Sequence, residues 1–232
     1  MHAFSLPFAA TLLQGDQLAC QQARRQLLLL HGAGDASRAP FMPLRQQLQQ
    51  AGIASTAFDF IGHGDTGGSL IGSSLQQRLA QAQTVAQACL PAQPLALLGS
   101  SMGAYIALRL LSTVDCSHLI LQVPGVYTPR AYQLPFGPAF SAVLRQPDSW
   151  RDSDAWECLA AFRGHLLIVE ASRDAVIPRA LVDKLHASAT QARSRRRLLL
   201  GGAEHQLARH WQRHPAAASH YRQQLARFLL LP

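Results

Sequence analysis

Short continuous apolar runs recur along the chain, separated by longer stretches in which apolar residues return every three or four positions. The runs fall at 26–30, 53–60, 94–99, 118–123, 165–170 and 196–200. Runs of this length, bounded by polar or turn-forming residues, predict buried strands. The stretches at 43–50, 74–90, 102–112, 179–189 and 215–230 carry the helical period. Strands that alternate with helices predict the α/β class: a mostly parallel central sheet with helices on both faces, spread over one domain, 1–232. Two regions break the rhythm. Residues 3–23 are apolar-rich around Gln14-Gly15-Asp16, which predicts an opening hairpin turning there. Residues 125–162 hold Pro129, Pro135, Pro138 and Pro147 with a concentration of aromatics, and are expected to form a short inserted lid.

Composition narrows the class. A chain of 232 residues, 48% hydrophobic and 15% charged, builds one sizeable core rather than a disordered chain. No apolar run approaches the roughly 20 residues of a membrane span. The N-terminal residues lack a basic start before their apolar stretch, which argues against a secretory signal and for a cytoplasmic protein. Cys20, Cys89, Cys116 and Cys158 are scattered without metal-ligand spacing, as expected of buried free thiols rather than disulfides or a metal site.

The net charge of +8 would suit a nucleic-acid binder, but its placement does not. Lys184 is the sole lysine, and the arginines gather before strands: Arg24-Arg25, Arg163 and Arg195-Arg196-Arg197. Parallel sheets bind ligands at the opposite, C-terminal strand ends. The cluster therefore predicts a solvated face, with no nucleic-acid partner. No phosphate-binding loop or dinucleotide fingerprint appears, so no cofactor is expected.

Gly99-Ser100-Ser101-Met102-Gly103 fits G-x-S-x-G between a predicted strand and a predicted helix. A serine on so sharp a turn lifts its hydroxyl out of the sheet, and glycines on either side let strand and helix approach closely. Ser101, not Ser100, occupies the nucleophile's position. A serine hydroxyl needs a base. His205 follows the last apolar run and so ends on the same sheet edge; His210, His214 and His220 fall in or beside the final helix and are expected at the surface. The base needs an orienting carboxylate. Asp174 follows another strand end, with Glu170 in reserve.

Together these segments resemble the α/β-hydrolase superfamily over nearly the whole chain. Leu27-Leu28-Leu29-Leu30-His31-Gly32-Ala33-Gly34 is similar to its strand and HG oxyanion loop. Phe58 to Thr66 resembles its D-x-x-G-H-G-x-S segment, with Thr66 in place of Ser. Ser172 to Pro178 resembles the acid loop, and Gly202-Ala203-Glu204-His205 the histidine loop. The order Ser, Asp, His is that of the fold. The resemblance implies oxyanion donors at the backbone N–H groups of Met102 and Ala33. It leaves His31 as a buttress of its loop and His63 as a turn residue.

The resulting expectation is a serine hydrolase acting on a small or medium acyl ester. Thioester hydrolysis would use the same parts, and a lyase or perhydrolase could share the fold. Within the lid, Tyr127, Phe136, Phe140 and Trp150 are expected either to shape an apolar acyl or alcohol pocket or to pack the lid onto the core.

Overall fold

The computed structural model describes residues 1–91 and 94–232. Eight strands form one sheet: β1 (His2–Phe8), β2 (Thr11–Leu18), β3 (Arg25–Leu30), β4 (Ile53–Phe58), β5 (Leu95–Ser100), β6 (Cys116–Gln122), β7 (His165–Ala171) and β8 (Ser194–Leu200). Their spatial order is β1-β2-β4-β3-β5-β6-β7-β8. The first two strands pair antiparallel, β2 pairs antiparallel with β4, and every other pairing is parallel.

Alternation along each strand explains why the sequence shows unbroken apolar runs. Leu28 and Leu30 of β3 join one core with Leu97, Leu119, Leu121, Leu166 and Ile168. Leu27 and Leu29 join the core on the other face with Ala96, Leu98, Ile120, Leu167 and Val169. Both faces are covered, so both sets of side chains are apolar. The first face is covered by α2 (Leu75–Cys89), α3 (Met102–Leu110) and α6 (Arg179–Ser188), the second by α1 (Met42–Gln50) and α8 (Pro215–Leu229). This is the α/β-hydrolase architecture.

The hairpin is present, but its turn is not at Gln14-Gly15-Asp16. The chain reverses at Ala9-Ala10, where Ala9 takes φ +49°, and Gly15 lies inside β2. The Phe4 ring lies across Gly15; a Cβ there would come within 2.2 Å of it. The glycine accommodates a cross-strand ring rather than a turn.

Between β6 and β7 the chain forms α4 (Pro138–Leu144), α5 (Ala155–Ala161) and a 3-10 turn at Pro129–Ala131. It is anchored to the start of α2 and the residues just before it through Gln76 N–H to Tyr132 O and Phe136 N–H to Ser73 O. Outside this insertion one helix has no counterpart in the sequence pattern: α7 (Leu207–Arg213), directly after His205.

The arginines before the strands are exposed as expected, apart from half-buried Arg25, but two arginines elsewhere are not at the surface. Arg45 and Arg78 are fully buried. Arg25 donates to the Leu229 and Leu231 carbonyls, and Arg197 lies within the edge strand β8, paired with Glu170 and Asp183. All four cysteines are free, and half-buried rather than buried. Among the described residues no helix is long and apolar enough to cross a membrane.

Candidate active site

Four strand ends converge on the C-terminal edge of the sheet. Gly99 and Gly103 set the geometry around Ser101. A Cβ on Gly99 would lie 2.3 Å from the Gly103 carbonyl oxygen, and one on Gly103 would lie 2.3 Å from that of Leu30. Only glycine lets α3 descend onto β5 and β3 so closely. The turn between them leaves Ser101 at φ +52°, ψ −116°. A non-glycine residue there holds about 1–3 kcal/mol of strain, which the surrounding packing must sustain.

The serine hydroxyl lies 2.9 Å from His205 Nε2, and His205 Nδ1 lies 2.9 Å from Asp174 Oδ2. Asp174 only accepts, so Nδ1 carries the proton and Nε2 is left to accept from Ser101. The other Asp174 oxygen takes the amides of Val176 (2.8 Å) and Ile177 (3.0 Å). Burial works against the Asp174 charge, but these hydrogen bonds outweigh it and hold the carboxyl below its ordinary value. The acid and histidine loops are tied together by Ser172 N–H to Leu200 O, Arg173 N–H to Ala203 O and Gly202 N–H to Ser172 Oγ. Glu170, the reserve acid, is engaged by Arg197 in a two-point ion pair instead.

The loop after β3 runs beside Ser101. A Cβ on Gly32 would lie 3.2 Å from Ser101 Cβ. His31 is locked in one tautomer: Nε2 accepts the Phe60 N–H (3.0 Å), so Nδ1 donates to the Gly32 carbonyl (2.8 Å). Burial, then neighbouring Arg78 and His63, pushes its pKa down to about 3, so the ring stays neutral. The amides of Ala33 and Met102 have no backbone acceptor within the protein among the described residues.

His63 stands in the turn expected of it but is more engaged than a turn requires, and His210 departs from its expected place at the surface. His63 is buried against His31 and the Arg78 guanidinium, so it is more than a turn residue. His210 is buried too, packed on Trp211, because α7 folds back over the sheet edge; His214 and His220 are exposed.

A cavity of about 470 Å³ opens on Ser101 and His205. Its walls are the loop from Gly32 to Leu44 on one side and Leu207, Trp211, Ala218 and Tyr221 of α7 and α8 on the other. Tyr127, Phe136, Phe140 and Trp150 do not line it. Phe140 is buried between Tyr127 and Phe136, Trp150 packs edge-on against Trp156, and Phe136 lies against the Arg78 guanidinium. Of the two expectations for these aromatics, packing onto the core describes the structure. The chain from Ser37 to Phe41, which does wall the cavity, is held by Arg38. That guanidinium reaches Asp16 (2.8 Å), Asp65 (2.6 Å) and, most closely, Asp59.

Arg78 carries no sequence signature. It lies in a glutamine-rich helix whose pattern suggests a solvated residue, yet it is 1% exposed. The Phe60 and Phe136 rings, the Gly32 carbonyl and His63 enclose it, all from segments distant along the chain.

Solved structures of similar fold include a monoacylglycerol lipase from Paleococcus ferrophilus (TM-score 0.73, 16% identity, 94% of this chain and 98% of that one). An esterase from Exiguobacterium antarcticum aligns at TM-score 0.72 and 18% identity, over 99% of each chain. The thioesterase domain of the curacin biosynthetic pathway aligns at 0.71 and 21%, over 100% of this chain and 99% of that one. At these identities the likeness is one of fold. No curated protein matches the chain. A family model described as serine aminopeptidase, S33, matches residues 21–147, which include Ser101 and the loop after β3 but neither Asp174 nor His205. Matched by that model over more than half its length, the chain belongs to this family of α/β-hydrolases.

Proposed function

We propose that the protein is a serine hydrolase that cleaves carboxylic esters of small or medium size through an acyl-enzyme intermediate. The observation that carries this reading is the unbroken relay from Ser101 Oγ through His205 to Asp174, each link 2.9 Å long. His205 Nε2 takes the Ser101 proton as Oγ attacks the ester carbonyl carbon. The carbonyl oxygen becomes an oxyanion that the Ala33 and Met102 amides receive. As the tetrahedral intermediate collapses, His205 gives the proton to the leaving alcohol oxygen. Water then attacks the acyl carbon, its proton passes to His205, and Ser101 recovers a proton as the acid departs. Asp174 keeps the imidazole oriented and stabilises its cationic form in both halves.

The cavity supports an ester over the aminopeptidase chemistry named in the family's description. An N-terminal ammonium calls for carboxylates, and among the described lining residues Asp35 is the one carboxylate, against Arg209 and Arg222. Its walls are largely apolar, through Phe41, Pro43, Leu44, Leu207 and Trp211, which suits an acyl or alcohol chain. Residues 125–162 act in this reading as a packed insertion within one domain rather than as a mobile lid. The free cysteines suit a reducing compartment such as the cytoplasm.

The test is a fluorophosphonate probe with mass mapping, followed by graded acyl esters, acyl thioesters and aminoacyl anilides. The reading requires stoichiometric labelling of Ser101, lost in Ser101→Ala, and turnover of acyl esters. Labelling that survives Ser101→Ala, or turnover confined to aminoacyl anilides, overturns it.

A further inference from the structure

We propose that Arg78 is a positioning residue for the oxyanion site, acting through the Gly32–Ala33 peptide. The inference rests on the serine hydrolase reading above and adds to it a group remote from the three relay residues.

Arg78 Nη1 donates to the Gly32 carbonyl oxygen at 3.2 Å, on the same oxygen that His31 Nδ1 holds at 2.8 Å. Across a trans peptide the C=O and the following N–H point in opposite directions. Two donors that fix the Gly32 oxygen on the buried side therefore fix the Ala33 N–H on the other side, that of the cavity into which Ser101 opens. The peptide is held before substrate arrives, which is what preorganised stabilisation of a developing charge requires.

The charge of Arg78 is the second half of the argument. The guanidinium lies between the Phe60 and Phe136 rings, 4.9 and 5.1 Å from their centroids. Its remaining hydrogen-bond contact is with His63 Nε2, its Nε has no hydrogen-bond partner among the described residues, and the Tyr127 phenol is its other polar neighbour. The buried carboxylates Asp16 and Asp59 are engaged by Arg38 and Arg45 instead. Burial lowers the Arg78 pKa only to about 10, so the group is cationic at neutral pH. A buried cation without a carboxylate is costly in the resting protein. The negative charge that it lacks arises during the reaction, on the far side of the peptide that it polarises. Its interaction is therefore stronger in the transition state than in the ground state, which is the condition for raising kcat.

The experiment compares Arg78→Gln and Arg78→Lys with the wild type on one acyl ester, with melting curves to establish that each variant is folded. Removing a direct oxyanion donor costs about 10²–10³-fold in kcat, and an indirect one should cost less. Arg78→Gln should lose about 10–100-fold in kcat with KM within about threefold. Arg78→Lys keeps the charge but not the two-point hold, and should lose about 3–10-fold, again without a change in KM. A boronic acid, which becomes a tetrahedral anion on Ser101, should weaken by the same factor in each variant. A folded variant with wild-type kcat, or one whose KM rises in step with the loss, overturns the proposal; if Arg78→Gln does not fold, Arg78→Lys decides it alone. Wild-type protein that neither takes the fluorophosphonate nor turns over esters brings down the functional reading and this inference together. Active wild type with equally active Arg78 variants removes only the latter.

Discussion

Asp174 receives the Nδ1–H of His205 on one carboxylate oxygen and two backbone amides on the other, so its position and its charge are fixed by the same three donors. Asp174→Asn should leave the fold intact and lower kcat by about 10⁴-fold, the loss that follows when a triad carboxylate no longer sets the histidine tautomer. Glu170→Gln should stay within about threefold, since Glu170 serves Arg197. Because the Asp174 pKa is depressed in the fold, its contribution is present above the ordinary carboxylate range and disappears only as pH falls through the lowered value. Steady-state kinetics of the two variants against pH is the measurement.

The cavity walls predict where chain-length preference resides. Trp211→Ala should change kcat/KM on octanoyl esters more than on acetyl esters, because remote apolar contacts contribute about 0.8 kcal/mol per buried CH₂ to the longer chain alone. Phe140→Ala should leave the preference alone and instead cost about 3–5 kcal/mol of stability, as a buried ring removed from a packed core does. An acyl-length series and urea unfolding separate the two effects.

Arg38 gathers Asp16, Asp59 and Asp65 around one guanidinium. Arg38→Met should destabilise the protein by about 3 kcal/mol or more, since Asp59 is 1% exposed and would lose its cation. The same change frees the 37–41 wall of the cavity, so KM should rise while kcat changes little. Chemical denaturation and kinetics on one ester check both.

His31 and His118 are each pushed down to about 3 in the fold, from an ordinary 6.5, by burial first and then by neighbouring cations. The unfolded chain therefore binds more protons than the folded one between those two values. Stability should fall as pH drops from 6.5, by about 1.4 kcal/mol per pH unit for each histidine. His118→Gln should remove one histidine's share of that slope without touching the active-site edge. The check is urea unfolding at pH 7, 6 and 5.

What could be read from the chain was what obeys a short-range rule. The apolar runs marked every parallel strand, and the strand-to-helix context of Gly99 to Gly103 marked Ser101, because a sharp turn needs glycines at fixed offsets. Asp174 and His205 were legible as residues just beyond strand ends. Arg78 and His210 were not, because their burial depends on packing by segments distant along the chain. Gly15 misled for a related reason: glycine answers equally to a turn and to a ring lying across a strand, and only the partner strand distinguishes them. The apolar face of α7 is too short to show a period, and the aromatics of 125–162 look the same in a pocket as in a core.

The nucleophile and its base do not share the same security in the fold. Ser101 follows β5, in the middle of the sheet with strands on both sides, whereas His205 follows β8, one of the two edge strands, which has a neighbour only in β7. Segments at a sheet margin open more readily than those at its centre. On warming, the relay should therefore come apart at its histidine end while the central strands still hold, and catalytic half-life should be set by fraying of one margin rather than by loss of the whole fold. Added contacts along β8 would lengthen that half-life further than the same contacts placed in the core.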